Sequence, residues 1–174
     1  MDLSKAKIEP LSGYYNLKKF ECKNKDLNDF IQNDALRYQE HQIANTYVLL
    51  YENDILGFVS LLADSIKLKK EEKQLSELDG KSIPEYPAIK IARFARDHRY
   101  KGMGVGNWLM KWSIGRIRAV SRDIAVRFVT VDSYPEKVEM YQSYGFIVNK
   151  HDKYQKKDDH VSMRFDLINI DIKE

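Results

Sequence analysis

The 174-residue sequence predicts an α/β domain built around one central sheet. Two patterns carry that expectation. Short β-rich runs alternate with segments whose apolar residues recur at helical spacing, an order that suits helices packed on a sheet. One strand-to-helix junction, "YKGMGVGNW", is also glycine-rich: Gly102, Gly104 and Gly106 are three of only 8 glycines in the chain. The length matches one domain on the usual scale of roughly 100–200 residues.

Taken in order, residues 1–20 read as an entry strand and loop punctuated by Pro10 and Gly13. From Asp26, the residues Leu27, Phe30, Ile31, Ala35 and Leu36 recur at helical intervals, with Asn24 or Asp26 placed to cap the first turn. "NTYVLLYE" and "ILGFVSLLA" are β-rich runs on either side of Asn53-Asp54, which reads as a hairpin. Residues 65–83 form a charged insertion whose acids and bases nearly balance, so it is expected to be a solvated helix and loop. "AIKIARFAR" is a strand that runs into the glycine cluster, and a helix follows from Val105 to Ser121. "IAVRFVTVD" is a further strand, "YPEKVEMYQSY" a short helix with Pro135 near its first turn, and "GFIVNK" and "HVSMRFDL" are closing strands. The whole reads as a single domain over 1–174.

Composition removes several classes. The only cysteine is Cys22, so an internal disulfide is excluded, as is a zinc site built mainly from thiolates. No apolar run approaches the roughly 18–20 residues that cross a bilayer. The N-terminal "MDLSKAKIEPLSG" lacks the apolar segment of a signal peptide, and a cytoplasmic location is expected. A net charge of +3 permits an anionic partner without requiring one.

The glycines carry the chemistry. A helix start presents unpaired N–H groups and partial positive charge, and glycines ahead of it let backbone approach a phosphate. A dinucleotide-binding G-x-G-x-x-G is excluded, because the third position after Gly104 is Asn107. A P-loop is excluded because no Gly-Lys-Ser/Thr closes the loop. What remains is R-x-x-G-x-G, Arg99 to Gly104, between a strand and a helix.

That pattern resembles the pyrophosphate-binding motif of the GCN5-related N-acetyltransferases, the GNAT superfamily. A second piece of the same family pattern lies downstream: Tyr-x-x-x-Gly-Phe, from Tyr141 to Phe146, at the end of a short helix. "PLSGYYNLKKFECKNKDLNDFI" and "IPEYPAIKIARFARD" further resemble the branch that contains the acetyltransferase toxins of toxin–antitoxin pairs, which acetylate aminoacyl-tRNA. The resemblance implies a GNAT fold, a mixed twisted central sheet flanked by helices, with acetyl-CoA as cofactor. It implies an amine acceptor such as aminoacyl-tRNA, an antitoxin protein as partner, and the homodimers common in the family. By the same resemblance the pantetheine arm pairs with backbone at Phe94, Ala95 and Arg96. The pyrophosphate meets the amides of Lys101, Gly102, Met103, Gly104, Val105 and Gly106, with Asn107 lining the helix start. Tyr141 is the general acid for the leaving thiolate, and no metal is implied. Arg96 departs from the family, where an aliphatic residue is frequent.

The residues themselves bear on the acceptor. His41, His98, His151 and His160 occupy no recognised catalytic position; Asp132 reads either as a proton relay through water or as a cap for the helix after Pro135. A lysine amine is neutral about once in 2,500 molecules at pH 7, and an α-amine about once in six. A site without a base therefore suits an α-amine, such as aminoacyl-tRNA or another small amine. A protein or metabolite acetyltransferase without a toxin role is the alternative enzyme. An acyl-CoA-binding module without turnover is the alternative outside enzymes. Val105, Trp108, Leu109 and Trp112 are expected to face the core. Arg116, Arg118, Arg122 and Arg127 form a basic stretch that either meets phosphates or complements the helix end.

Overall fold

The computed structural model describes residues 1–78, 83–155 and 159–168. Its sheet is mixed and seven-stranded, with helices flanking it. The strands are β1 (Lys7–Pro10), β2 (Asn45–Tyr51), β3 (Asp54–Ile66), β4 (Tyr86–Arg96), β5 (Phe128–Ser133), β6 (Ile147–Val148) and β7 (Val161–Asp166), in the order β1-β2-β3-β4-β5-β7-β6. Only β4 and β5 are a parallel pair among the registers described, over Ala88–Lys90 against Phe128–Thr130. Two compact units are distinguished: Met1–Leu62 with Ile91–Gly115, and Ala63–Lys90 with Arg116–Glu174.

In the first unit β1 and β2, then β2 and β3, pair antiparallel, and the hairpin turns one residue earlier than expected: Tyr51 pairs with Asp54, so Glu52 and Asn53 form the loop and Asp54 opens β3. Glu52 takes the positive φ of that turn, at 55°. Helix α1 (Lys25–Asp29) is capped by Asn24, whose side chain accepts the Leu27 N–H. The chain then widens into a π-turn over Phe30–Asp34 before helix α2 (Ala35–Glu40). The apolar spacing explains the widening. Ala35 lies five residues after Phe30, out of phase with a 3.6-residue turn. Its N–H reaches the Phe30 carbonyl in the i→i+5 pattern, and Phe30, Ile31 and Ala35 are all buried. They pack with Phe20, Val48, Phe58 and Ala95 in one core. Each large side chain buried there contributes roughly 1.5–3 kcal/mol.

In the second unit β5, β7 and β6 form an antiparallel set, and Ile66, Leu68, Tyr86, Ala88 and Phe128 make its core. The charged insertion departs from expectation here. Ser65 and Ile66 complete β3, and helix α3 (Lys70–Leu75) follows. Positions 79–82 of the insertion lie outside the described residues. Glu72 is buried instead of solvated, and it pairs with the equally buried Arg164 of β7. The same carboxylate accepts the N–H groups of Lys69 and Lys150, each at 2.9 Å. Arg127 is likewise structural: its Nη2 donates to Asp166 at 2.9 Å and to the Ser76 carbonyl at 2.7 Å, which takes it out of the predicted basic stretch.

Candidate cofactor and proton-transfer residues

Helix α4 (Val105–Val120) begins at the glycine cluster. Gly102 and Gly104 have φ of +81° and +80°, where an L side chain is strained, and Gly106 lies inside the helix. The Gly104 carbonyl accepts the Trp108 N–H at 2.9 Å, the first bond of the helix. Helix geometry therefore leaves the N–H groups of Gly104, Val105, Gly106 and Asn107 without an intrahelical acceptor. Lys101, Gly102, Met103, Gly104 and Asn107 are exposed, while Val105 is buried and anchors the turn. These are the features that a diphosphate needs: exposed donors at a positive helix end, reached past residues without Cβ. The loop residues fit the group that the resemblance implies.

What holds this loop was not evident in the sequence. Asp97, wholly buried, accepts from Arg99 through its backbone N–H, Nε and Nη2 at 2.9–3.0 Å and from the Glu21 N–H at 3.2 Å. Burial alone would raise its pKa, but these hydrogen bonds outweigh burial and hold the carboxyl below its usual range. Arg99 also lies 3.7 Å from Asp54, which accepts the Tyr100 hydroxyl at 2.9 Å. The arginine of R-x-x-G-x-G thus anchors the turn from beneath. The signal was Asp97 two residues ahead of Arg99, the spacing of a side chain that bonds its own turn.

On β4, Phe94 and Arg96 are half-buried and Ala95 is buried. The Arg96 guanidinium donates to the Asp97 carbonyl at 2.8 Å. Gly57 of β3 makes room for this strand: a Cβ there would stand 2.7 Å from both the Ala95 carbonyl and Leu109. Within α4, Leu109 is buried as expected, but Trp108 and Trp112 are only half-buried. They line an open groove of about 520 Å³ with Leu3, Gly104, Asn107 and Lys111, and Trp112 packs on Tyr47 at 4.9 Å.

Tyr141 belongs to the second unit, on α5 (Val138–Ser143), and is 7% exposed. The Tyr-x-x-x-Gly-Phe pattern has a clear local reason. Gly145, at φ +91°, ends the helix; its N–H bonds the Gln142 carbonyl and the Phe146 N–H bonds that of Tyr141. This is a Schellman closure, which needs glycine at the left-handed position. Phe146 then packs edge-on against the Tyr141 ring at 5.5 Å and is itself buried. Burial first, and Tyr144 second, push the Tyr141 phenol up to about 12. The group keeps its proton at any ordinary pH, the state that a proton donor requires.

Asp132 does not cap the turn after Pro135, where Tyr134 is the N-cap residue; it pairs with Lys90 at 3.1 Å. The His98 ring bonds the distant Glu21 carbonyl at 2.8 Å, the His151 ring accepts the Lys153 N–H, and His160 lies against Tyr134. Among the described residues no helix is long and apolar enough to cross a membrane.

The family model of an acetyltransferase (GNAT) domain matches residues 15–167. Among curated proteins, the chain is 25% identical over 157 residues to "Probable toxin TacT" of Sinorhizobium fredii, covering 82% of this chain and 84% of that one. It is 22% identical over 135 residues to a tRNA-acetylating toxin of Mycobacterium tuberculosis, covering 76% and 79%. Among solved structures, AtaT complexed with acetyl-methionyl-tRNAfMet has a TM-score of 0.77 at 22% identity, covering 92% of this chain and 94% of that one. A mutant AtaT bound to the C-terminus of the antitoxin AtaR gives 0.74 at 22%, covering 93% and 92%. At these identities the solved structures establish the fold.

Proposed function

The chain belongs to the GNAT acetyltransferase family, acetyl-CoA-dependent N-acetyltransferases, and from that premise we propose that it transfers acetyl to the α-amino group of aminoacyl-tRNA. The observation that carries the cofactor assignment is the loop at the start of α4, where Gly102 and Gly104 sit at positive φ. Support for the acceptor comes from the relatives: a tRNA-acetylating toxin, and AtaT with its acetylated methionyl-tRNA. The chain acts as one N-acetyltransferase domain over 1–174, with the charged insertion at 65–83 as part of it.

Acetyl-CoA supplies the activated thioester; the chain supplies the rest. Amides from Lys101 to Gly106, with Asn107, hold the pyrophosphate, and backbone at Phe94, Ala95 and Arg96 aligns the pantetheine arm. Tyr141 holds a proton at its phenol oxygen for the departing sulfur. An enzyme with this substrate works in the cytoplasm. As a toxin it requires a neutralising protein, as AtaT has AtaR, and a small antitoxin gene beside its own is the expected genomic signature.

Two experiments test the reading. Labelled acetyl-CoA and charged tRNA should yield tRNA-linked N-acetyl amino acid that mild alkali releases. Label appearing only on protein lysines would refute the acceptor. Calorimetric titration with acetyl-CoA should show micromolar binding that Gly104→Glu abolishes. That variant places a carboxylate against the pyrophosphate and a side chain at positive φ, a backbone cost of about 1–2 kcal/mol. Unaltered binding would move the cofactor elsewhere.

A further inference from the structure

A second polar site lies within the Ala63–Lys90 and Arg116–Glu174 unit. Asp64, Lys90 and Asp132, on the neighbouring strands β3, β4 and β5, form a row of alternating charge. The Lys90 ammonium stands 3.1 Å from Asp132 and 3.7 Å from Asp64, and each of the three side chains is about a quarter exposed. The Thr130 hydroxyl donates to Asp64 at 2.6 Å. The row borders a cavity of about 120 Å³, which Ser162, Asn149 and Tyr154 also line. Lys153 is at its rim, half exposed and directed to Glu85 at 4.0 Å. At about 30 Å³ per water, the cavity has room for a small head group.

We propose that this cleft receives the ammonium head of the acceptor, with Asp64 and Asp132 as its hydrogen-bond acceptors and Lys90 as the charge that tunes it. An ammonium brings three donors and no acceptor, and two partly buried carboxylates are its natural counterpart. The row alone carries one net negative charge, enough to attract a cation. Lys90 limits that attraction, which matters because the amine must lose its proton before it attacks. A surplus of negative charge would hold the amine in its charged form. Asp64, Lys90 and Asp132 are thus specificity-determining residues that favour a compact, weakly basic α-amine. This inference rests on the acetyltransferase reading and names how its acceptor is held.

The test is steady-state kinetics with three acceptors: aminoacyl-tRNA, an α-amino acid methyl ester, and Nα-acetyl-lysine methyl ester. Asp64→Asn and Asp132→Asn should each raise the KM for the amine about tenfold, the loss of one charge-assisted contact. Calorimetric affinity for acetyl-CoA should stay within about twofold. Lys90→Met should act in the opposite direction, lowering the amine KM several-fold while also lowering kcat at pH 7. A merely structural ion pair would not produce that split. Unchanged KM in the two asparagine variants, or a raised KM in Lys90→Met, would overturn the proposal. A wild type that acetylates only the lysine side chain refutes the α-amine reading, and with it the preference assigned to this cleft. A wild type that turns over no amine overturns both.

Discussion

Replacing Tyr141 with phenylalanine is expected to lower kcat by about a hundred- to ten-thousand-fold, the range for losing a positioned proton donor. Acetyl-CoA affinity should hardly change, because the residues assigned to the cofactor belong to β4 and the α4 loop. The melting temperature should also hold. Phenylalanine keeps the ring volume and the edge-on contact with Phe146, and the Schellman closure at Gly145 uses only backbone. A companion variant, Tyr144→Phe, should be nearly neutral, since Tyr144 is only half-buried and occupies a variable position of the motif, three residues after Tyr141. If Tyr141→Phe retained activity within about threefold, Tyr141 would be a packed ring and the proton would come from another source.

The pH profile separates the acid from the acceptor. With its phenol pushed up to about 12, Tyr141 stays protonated across the working range, so no alkaline decline should appear below about pH 11. Delivery to a thiolate of ordinary basicity, near 8.5, would be uphill by about 5 kcal/mol. Burial raises a thiol's pKa as it raises a phenol's, so a thiolate leaving into dry surroundings narrows that gap. The acid side of the profile belongs to the acceptor, which must be neutral to attack. For an α-amine, kcat/KM should climb about tenfold per pH unit and level off near pH 7.7. For a lysine it would keep climbing toward about 10.4. A plateau near neutrality would support aminoacyl-tRNA; a continued rise would refute it.

The strand and helix order could be read from the sequence because apolar periodicity and turn residues act locally. The hairpin turned within one residue of Asn53-Asp54, and Asn24 capped its helix by the side chain that its residue type predicts. The glycine loop and the Tyr141 motif were legible for a related reason. Left-handed backbone at Gly102, Gly104 and Gly145 leaves a residue-type signature. What was missed depends on partners distant in sequence. Glu72 reads as one more charge in a charged stretch until Arg164, 92 residues away, is placed against it. Arg127 reads as basic surface until Asp166 and the Ser76 carbonyl occupy it. Trp108 and Trp112 obey helical spacing, but spacing gives only the side of the helix, not how far the neighbouring strands reach over it.

Glu72→Ala is expected to be the most destabilising of the substitutions considered, at about 3–5 kcal/mol. Among the described residues it would leave the buried Arg164 guanidinium the Asn149 side-chain oxygen, at 2.9 Å, as its hydrogen-bond partner. It would also remove the acceptor of two backbone N–H groups, those of Lys69 and Lys150. For a chain of this size that corresponds to a melting temperature lower by roughly 6–20 °C. Glu72→Gln should fall between, because one amide oxygen remains but the NH₂ group meets donors already in place. The informative variant is the double replacement by methionine at both positions. Paired apolar residues of similar volume remove the desolvation cost of both ions, and much of the loss should be recovered. Recovery would show that the pair is costly to break yet contributes little net stability. Failure to recover would mean that the bonds to Lys69 and Lys150 dominate, and that α3 is held by its backbone contacts to the carboxylate. A single-variant loss below about 1 kcal/mol, the level of an exposed pair, would mean that water reaches Glu72 and the insertion is solvated after all.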